Sequence, residues 1–88
     1  MKILGLKGVF KEDSYLYYMN KYTAVAVIEI FAQRLSLPIN FSIEVNPLGV
    51  KTIDLEPLPK TLDYPVLPIT KSLKEYIAQL DIENKLPQ

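Results

Sequence analysis

Carboxylates are the side chains of this sequence that could most readily do chemistry. Glu44 precedes and Asp54 and Glu56 follow a predicted tight turn, which would place all three on the solvent face of one β-hairpin. Paired carboxylates can bind a hard cation or act as general acid and base. No Asp-rich loop accompanies these three residues, and lysines lie nearby. We therefore expect a solvated face, with no metal site and no catalytic residue.

The 88-residue chain contains neither histidine nor cysteine. Their absence excludes disulfides, thiolate nucleophiles, zinc–sulfur sites and Ser–His pairs, and it removes the commonest acid–base group near neutral pH. No glycine-rich loop of the GxGxxG or P-loop type is present to hold a phosphate. The composition predicts a protein that is not an enzyme and that carries no cofactor.

A group of tyrosines lies between positions 15 and 22. On a strand, Tyr15 and Tyr17 would share one face, and neighbouring exposed aromatic rings often mark a contact surface. Tyrosines also form strands in which the ring is buried and only the hydroxyl is wet. We predict that Tyr15, Tyr17 and Tyr22 contribute to an interface, which replacement of Tyr15 and Tyr17 by Ser would disrupt without unfolding the monomer.

Arg34 is the only arginine, against nine lysines. Its planar guanidinium and apolar stem suit an interface anchor on a partly apolar edge, although a solvated arginine is the more common case. We include Arg34 with the three tyrosines as a candidate binding residue.

Composition favours an interaction protein. The chain has ten basic and ten acidic side chains and is 49% hydrophobic. Zero net charge argues against nucleic-acid and anionic-lipid partners, and it lets copies approach each other. We predict a small non-catalytic interaction or regulatory module with a protein partner, most simply a homodimer. The alternative is a small-ligand or nucleic-acid binding domain that uses a tyrosine-bearing sheet face. No targeting or membrane-spanning segment is evident, so we expect a cytoplasmic protein without a membrane partner.

The segment Tyr22–Leu37 is predicted to be the central helix. Ala24, Ile28, Phe31 and Leu35 would share one face at helical spacing, and Pro38 would end the helix near Ser36. The alternative is a strand, because Val25, Val27 and Ile30 are β-branched. That alternative places Glu29 on the same face as Val25 and Val27.

The flanking segments predict two hairpins. Residues 2–10 read as a strand in which Leu4, Leu6 and Phe10 share a face and Gly5 and Gly8 mark bulges. Residues 14–19 read as its partner, or else as an extension of the first helix. Residues 39–45 and 50–56 alternate apolar and polar side chains about the turn Asn46-Pro47-Leu48-Gly49, where Gly49 would take a positive φ.

The C-terminal third predicts an extended crossover and a second helix. Pro57, Pro59, Pro65 and Pro68 argue against a helix over residues 57–68. Ser72 and Glu75 form a capping-box pattern, followed by an apolar face that ends by Asn84. We therefore expect one α+β domain over residues 1–88. It would be a two-layer β-β-α-β-β-α sandwich whose mostly antiparallel sheet carries two helices on one face, with a β-grasp-like arrangement as the alternative.

Overall fold

In the computed structural model, four antiparallel strands form one sheet and a helix packs against it. The strands are β1 (Lys2–Glu12), β2 (Met19–Ile30), β3 (Gln33–Val45) and β4 (Lys51–Leu55), and the helix α1 is Val66–Ile82. The structure describes residues 1–13, 18–58 and 65–87. Each strand pairs with the next one along the chain, in the order β1-β2-β3-β4. The sheet is therefore a simple meander.

The predicted β-β-α-β-β-α sandwich is wrong. Within the described ranges the chain has one helix, at the C-terminal end, and the residues predicted as the first helix form β2 and β3 instead. The β-grasp-like alternative fails too, because no helix connects one strand of the sheet to another. What remains of the expected fold class is a mostly antiparallel sheet with helical cover on one face.

The strand alternative for residues 22–30 is the correct one. Ala24, Ala26 and Ile28 are buried under the helix, whereas Val25 and Val27 lie on the opposite face. Glu29 shares that opposite face, as the strand alternative requires. The helical interpretation failed because a continuous apolar run satisfies both periods, and the polar Glu29 suggested that the valine face was not a core face. The core face is in fact the one that carries the alanines.

A two-residue turn joins β2 to β3. Phe31 and Ala32 have φ values of 52° and 63°, and Ile30 and Gln33 are paired on either side of them. Positive φ at both central residues is what a type I′ hairpin turn requires, and Asn-Gly is its usual sequence. Phe-Ala gives no such signal, so the sequence did not reveal the turn.

Pro38 lies inside β3 and does not end an element. The residue before it, Leu37, is extended, which is the conformation that a following proline favours. The Glu56 N–H donates to the Asn40 carbonyl at 2.9 Å, so Asn40, and Pro38 two residues before it, direct their backbone polar groups away from β2. Pairing with β4 begins only at Phe41. Pro38 therefore lacks its N–H at a free edge, where a strand tolerates proline.

The hairpin around residues 46–49 is confirmed. The Gly49 N–H donates to the Asn46 carbonyl at 2.9 Å, and Gly49 has the predicted positive φ, at 83°. The Asn46 side-chain Oδ1 accepts from the N–H groups of Leu48 and Val50, both at 2.9 Å. The side chain therefore holds the turn from inside, as Asn does in Asx-type turns.

The predicted first strand is confirmed, with a different distribution of its side chains. The register of β1 on β2 shifts between Ile3 and Gly5 and again between Lys7 and Phe10, next to the glycines expected to mark bulges. The second shift places Val9 against the core and leaves Phe10 64% exposed. The expected grouping of Phe10 with Leu6 is therefore wrong. Of the predicted partner strand, residues 14–17 lie outside the described residues.

Helix α1 covers one face of the sheet through Ile69, Leu73 and Ile77, all buried. It begins at Val66 without a side-chain cap, so the predicted capping box at Ser72 is wrong. Pro68 lies in the first turn, where backbone N–H groups have no helical acceptor and proline is tolerated. The helix ends where expected. Asn84 has a φ of 56° and donates its N–H to the Asp81 carbonyl, and Lys85 donates to Leu80, which is a Schellman motif.

Replacement of Ala32 by Gly should stabilise the protein. A left-handed conformation costs a residue with a Cβ about 1–2 kcal/mol, and glycine avoids this strain at some cost in unfolded-state entropy. We expect the free energy of unfolding in urea to rise by about 0.5–1 kcal/mol. The control is Ala78→Gly in α1, which should lower it by about 1 kcal/mol. A loss of stability in Ala32→Gly would contradict the assigned turn.

Candidate functional site

The face of the sheet opposite α1 is the candidate site, and we call it the outer face. Its residues alternate along each strand with those that contact α1, because successive side chains of a strand point to opposite faces. No described residue packs over it, whereas the inner face is closed by α1 and the segment that follows it. An antiparallel sheet with one covered and one open face presents the open face to solvent or to a partner.

Strand pairing arranges the outer face in transverse rows. One row near the β2–β3 turn contains Lys2, Glu29 and Arg34, each the register partner of the next. A row at the opposite end runs through all four strands. Its residues are Glu12, Lys21, Ser42 and Asp54. The pairing therefore brings together side chains that are more than 40 positions apart in the sequence.

The middle of the outer face is apolar. Phe10 and Val25 are 64% and 36% exposed, Pro38 is exposed beside Val25 in the register, and Val27 is half-buried. Between them lie small polar residues such as Thr23, so no charge interrupts the centre of β2 on this face. Exposed apolar side chains that adjoin one another are a more informative feature than isolated ones.

Charged side chains occupy the two ends of the outer face and differ in sign. The end near the β2–β3 turn carries three cations and one anion: Lys2, Lys7, Arg34 and Glu29. The other end carries four anions and one cation: Glu12, Glu44, Asp54, Glu56 and Lys21. The face is thus electrically polar even though the whole chain is neutral.

Two shallow depressions mark the ends of the outer face. Arg34 lines the first, of about 270 Å³, together with Leu4, Lys7 and Val27. Acidic side chains line much of the second, of about 310 Å³, with Lys21 among them. Both are open to solvent, and neither encloses a titratable group away from water. Among the described residues, no three carboxylates cluster as a metal site would need.

The predicted binding residues do not form one surface. Arg34 lies on the outer face, opposite Glu29. Tyr22 lies on the inner face at the other end of β2 and is only 5% exposed. Tyr15 and Tyr17 lie outside the described residues. The apolar centre formed by Phe10 and Val25 escaped the sequence analysis, although the alternation of Val25 and Val27 with alanines was the signal that could have revealed it.

Tyr22 ties the C-terminal segment to the sheet. Its ring stacks on Phe41 with centroids 5.1 Å apart, and its hydroxyl donates to the Pro87 carbonyl at 3.3 Å. Burial raises the pKa of Tyr22, and nearby Asp81 raises it further, while Lys51 opposes the shift. The Lys51 ammonium and the Asp81 carboxylate form an ion pair of 2.8 Å. These contacts close the end of the sandwich rather than form a surface for a partner.

A polar cavity of about 280 Å³ adjoins this closure. Its walls include Lys11, Asn20, Lys51, Asp81 and Asn84. Lys51 is already neutralised by Asp81, and the carbonyl end of α1 contributes negative potential beside them. The cavity therefore has no strong preference for either sign of charge, and the outer face remains the stronger candidate site.

Comparison with known proteins yields one match. The model of a protein family that is designated by a locus number with the prefix BB, and whose description states no activity, matches residues 1–82. We call it the BB-locus family, and since the match covers nearly the whole chain, the chain belongs to it. No curated protein and no solved structure matches the chain. Among the described residues, no helix is long and apolar enough to cross a membrane.

The raised pKa of Tyr22 predicts a loss of stability in alkali. The unfolded chain releases the tyrosine proton near pH 10, whereas the folded chain holds it to higher pH, so unfolding releases protons in that window. The free energy of unfolding should therefore fall as pH rises above 10, and part of this fall should be absent in Tyr22→Phe. Urea titrations of both proteins between pH 8 and 11 measure the difference.

At neutral pH, Tyr22→Phe should cost about 1 kcal/mol or less, because a single hydrogen bond is removed and the ring stacking is retained. Identical alkaline profiles for the two proteins would contradict the described environment of the hydroxyl.

Proposed function

We propose that this chain, a member of the BB-locus family, is a non-catalytic protein–protein interaction module that self-associates through its outer face. The observation that carries the proposal is the exposed apolar centre of that face, around Phe10 and Val25. The inner face cannot serve, because α1 already covers it. The occupant of the outer face is a second copy of the chain.

Apolar burial supports the proposal. Covering Phe10 and Val25 would remove apolar area from water, and each square ångström removed contributes about 25 cal/mol. Val27 and Pro38 extend the same area along β2 and β3. The surrounding residues are small and polar, so a second sheet could approach closely without burying a charge at the centre. A dry centre with a polar rim is the usual anatomy of a protein interface.

The area of the outer face suits a dimer. Strand β2 has 12 residues and spans about 40 Å, and four strands span roughly 15–19 Å in width. Allowing for the shortness of β4, the face covers roughly 600 Å² in projection. A standard interface buries about 800 Å² of accessible surface per partner, and side chains make the accessible area larger than the projection. The two values are comparable.

Charge also permits self-association. The chain has equal numbers of basic and acidic side chains, so two copies do not repel each other through net charge. The same neutrality disfavours a phosphate backbone or an anionic lipid surface as the occupant. We place the module in the cytoplasm, in keeping with a sequence that lacks cysteine.

The alternative function, a tyrosine platform for small ligands or nucleic acid, has less support. Such a platform stacks bases or rings on exposed aromatic side chains. Among the outer-facing residues of the described strands, Phe10 is the only aromatic one. Tyr22 lies on the inner face, and the hydroxyl of Tyr76 on α1 lies beside Gly5.

Light scattering behind a sizing column, over a wide range of concentrations, tests the proposal. The wild-type chain should show a concentration-dependent dimer. The double variant Phe10→Thr, Val25→Thr keeps strand-forming residues but removes the apolar centre, and it should weaken the dimer about 10- to 100-fold. Circular dichroism should show the same secondary structure in both proteins.

Leu67→Thr is the matched control. Leu67 is 81% exposed on α1, away from the outer face, and its replacement removes similar apolar area. This variant should associate like the wild type. A wild type that stays monomeric at every concentration would sink the proposal, as would a double variant that associates unchanged.

A further inference from the structure

We infer that the charge pattern of the outer face sets the orientation of the dimer, so that the two copies stack face to face with their strands running in opposite directions. The inference rests on the proposed self-association and adds its geometry. The cationic end of each copy, around Lys2, Lys7 and Arg34, then lies over the acidic end of the other.

The register fixes how the charges are separated. Row by row from the β2–β3 turn, the outer face carries Lys2, Glu29 and Arg34, then uncharged residues, then Lys7 beside Val25 and Pro38. Beyond the row of Phe10, Thr23 and Asn40, carboxylates predominate. They belong to three different strands and to the residue after β4, and they are Glu12, Glu44, Asp54 and Glu56. Only Lys21 interrupts them. The apolar centre lies between the two signs.

Two simple two-fold arrangements bring the outer faces together. If the two-fold axis runs along the strands, each end meets the same end of the other copy, and like charges oppose each other. If the axis runs across the strands through the apolar centre, each cationic end meets an acidic end. Both arrangements bury the same apolar residues, so the charges decide between them. Charges on facing surfaces select orientation more strongly than they add affinity.

The selected arrangement also closes. A two-fold interface uses the same patch on both copies, and once both outer faces are covered neither copy offers that patch to a third. We therefore expect a dimer and not a filament. The rim position of the charges predicts that salt weakens their selection, because charges that remain solvated are screened.

Paired charge-reversal variants test the orientation. The first variant replaces the cationic end: Lys2→Glu, Lys7→Glu, Arg34→Glu. The second replaces part of the acidic end: Glu12→Lys, Asp54→Lys, Glu56→Lys. Each variant alone has ends of one sign, and its self-association should weaken at least tenfold. An equimolar mixture should form a heterodimer with a dissociation constant within about tenfold of the wild-type value. Native mass spectrometry distinguishes the heterodimer from either homodimer.

A control separates local pairing from overall repulsion. The variant Lys71→Glu, Lys74→Glu, Lys85→Glu alters net charge as much as the first variant does, but on α1 and the residues after it. It should keep more of the wild-type affinity than the first variant. If it loses as much, net charge explains the effect and the orientation inference is overturned.

The outcomes distinguish the orientation from the proposed function. A wild-type dimer whose two reversal variants both still form homodimers, or fail to form a heterodimer when mixed, overturns the orientation and leaves the self-association proposal standing. A monomeric wild type ends both. Folding of each variant is checked by circular dichroism, and recovery in the mixture itself shows that both components are folded.

Discussion

The register of the β2–β3 hairpin is the constraint on which the rest of the structure depends. Its pairing is continuous from Met19 opposite Glu44 to Ile30 opposite Gln33, without a bulge. Since side chains alternate with a period of two, a slip of one residue would turn every alanine and isoleucine of β2 to the outer face. The two-residue turn at Phe31-Ala32 allows no such slip, because its length fixes which residues are opposite each other. Core, helix position and outer face all follow from this pairing.

Local signals determined which parts of the fold could be predicted. Asn46 and Gly49 give a hairpin turn its characteristic chemistry, so the last two strands were predicted with their correct pairing. The β2–β3 hairpin has a longer ladder but no such signal, because its turn uses two residues that avoid positive φ in most contexts. Pro38 then suggested a helix end, although an edge strand accepts proline equally well. The start of α1 was predicted too late because prolines in a first turn resemble those of an extended segment.

The candidate site was less predictable than the fold, since it consists of relations between strands. Arg34 was correctly singled out as unusual, but its neighbours Glu29 and Lys2 are assigned only by the register. Tyr22 was grouped with Tyr15 and Tyr17 by closeness in sequence, yet the strand turns its ring inward onto Phe41. The bulges of β1 matter as much, because a register shift moves Phe10 to the face opposite the one that simple alternation assigns. No count of residue types contains that information.

The edges of the sheet explain why self-association would use a face. An exposed strand edge is a template for pairing with another chain, and proteins block such edges with bulges, prolines and short strands. Here β1 is bulged at two places, β4 has only five residues, and Pro38 removes a donor from the stretch of β3 that extends past β4. Each device disfavours addition of a further strand. None of them covers the apolar centre around Val25, whose burial needs no backbone hydrogen bond. The chain thus resists open-ended edge pairing while it retains a face that two copies can close.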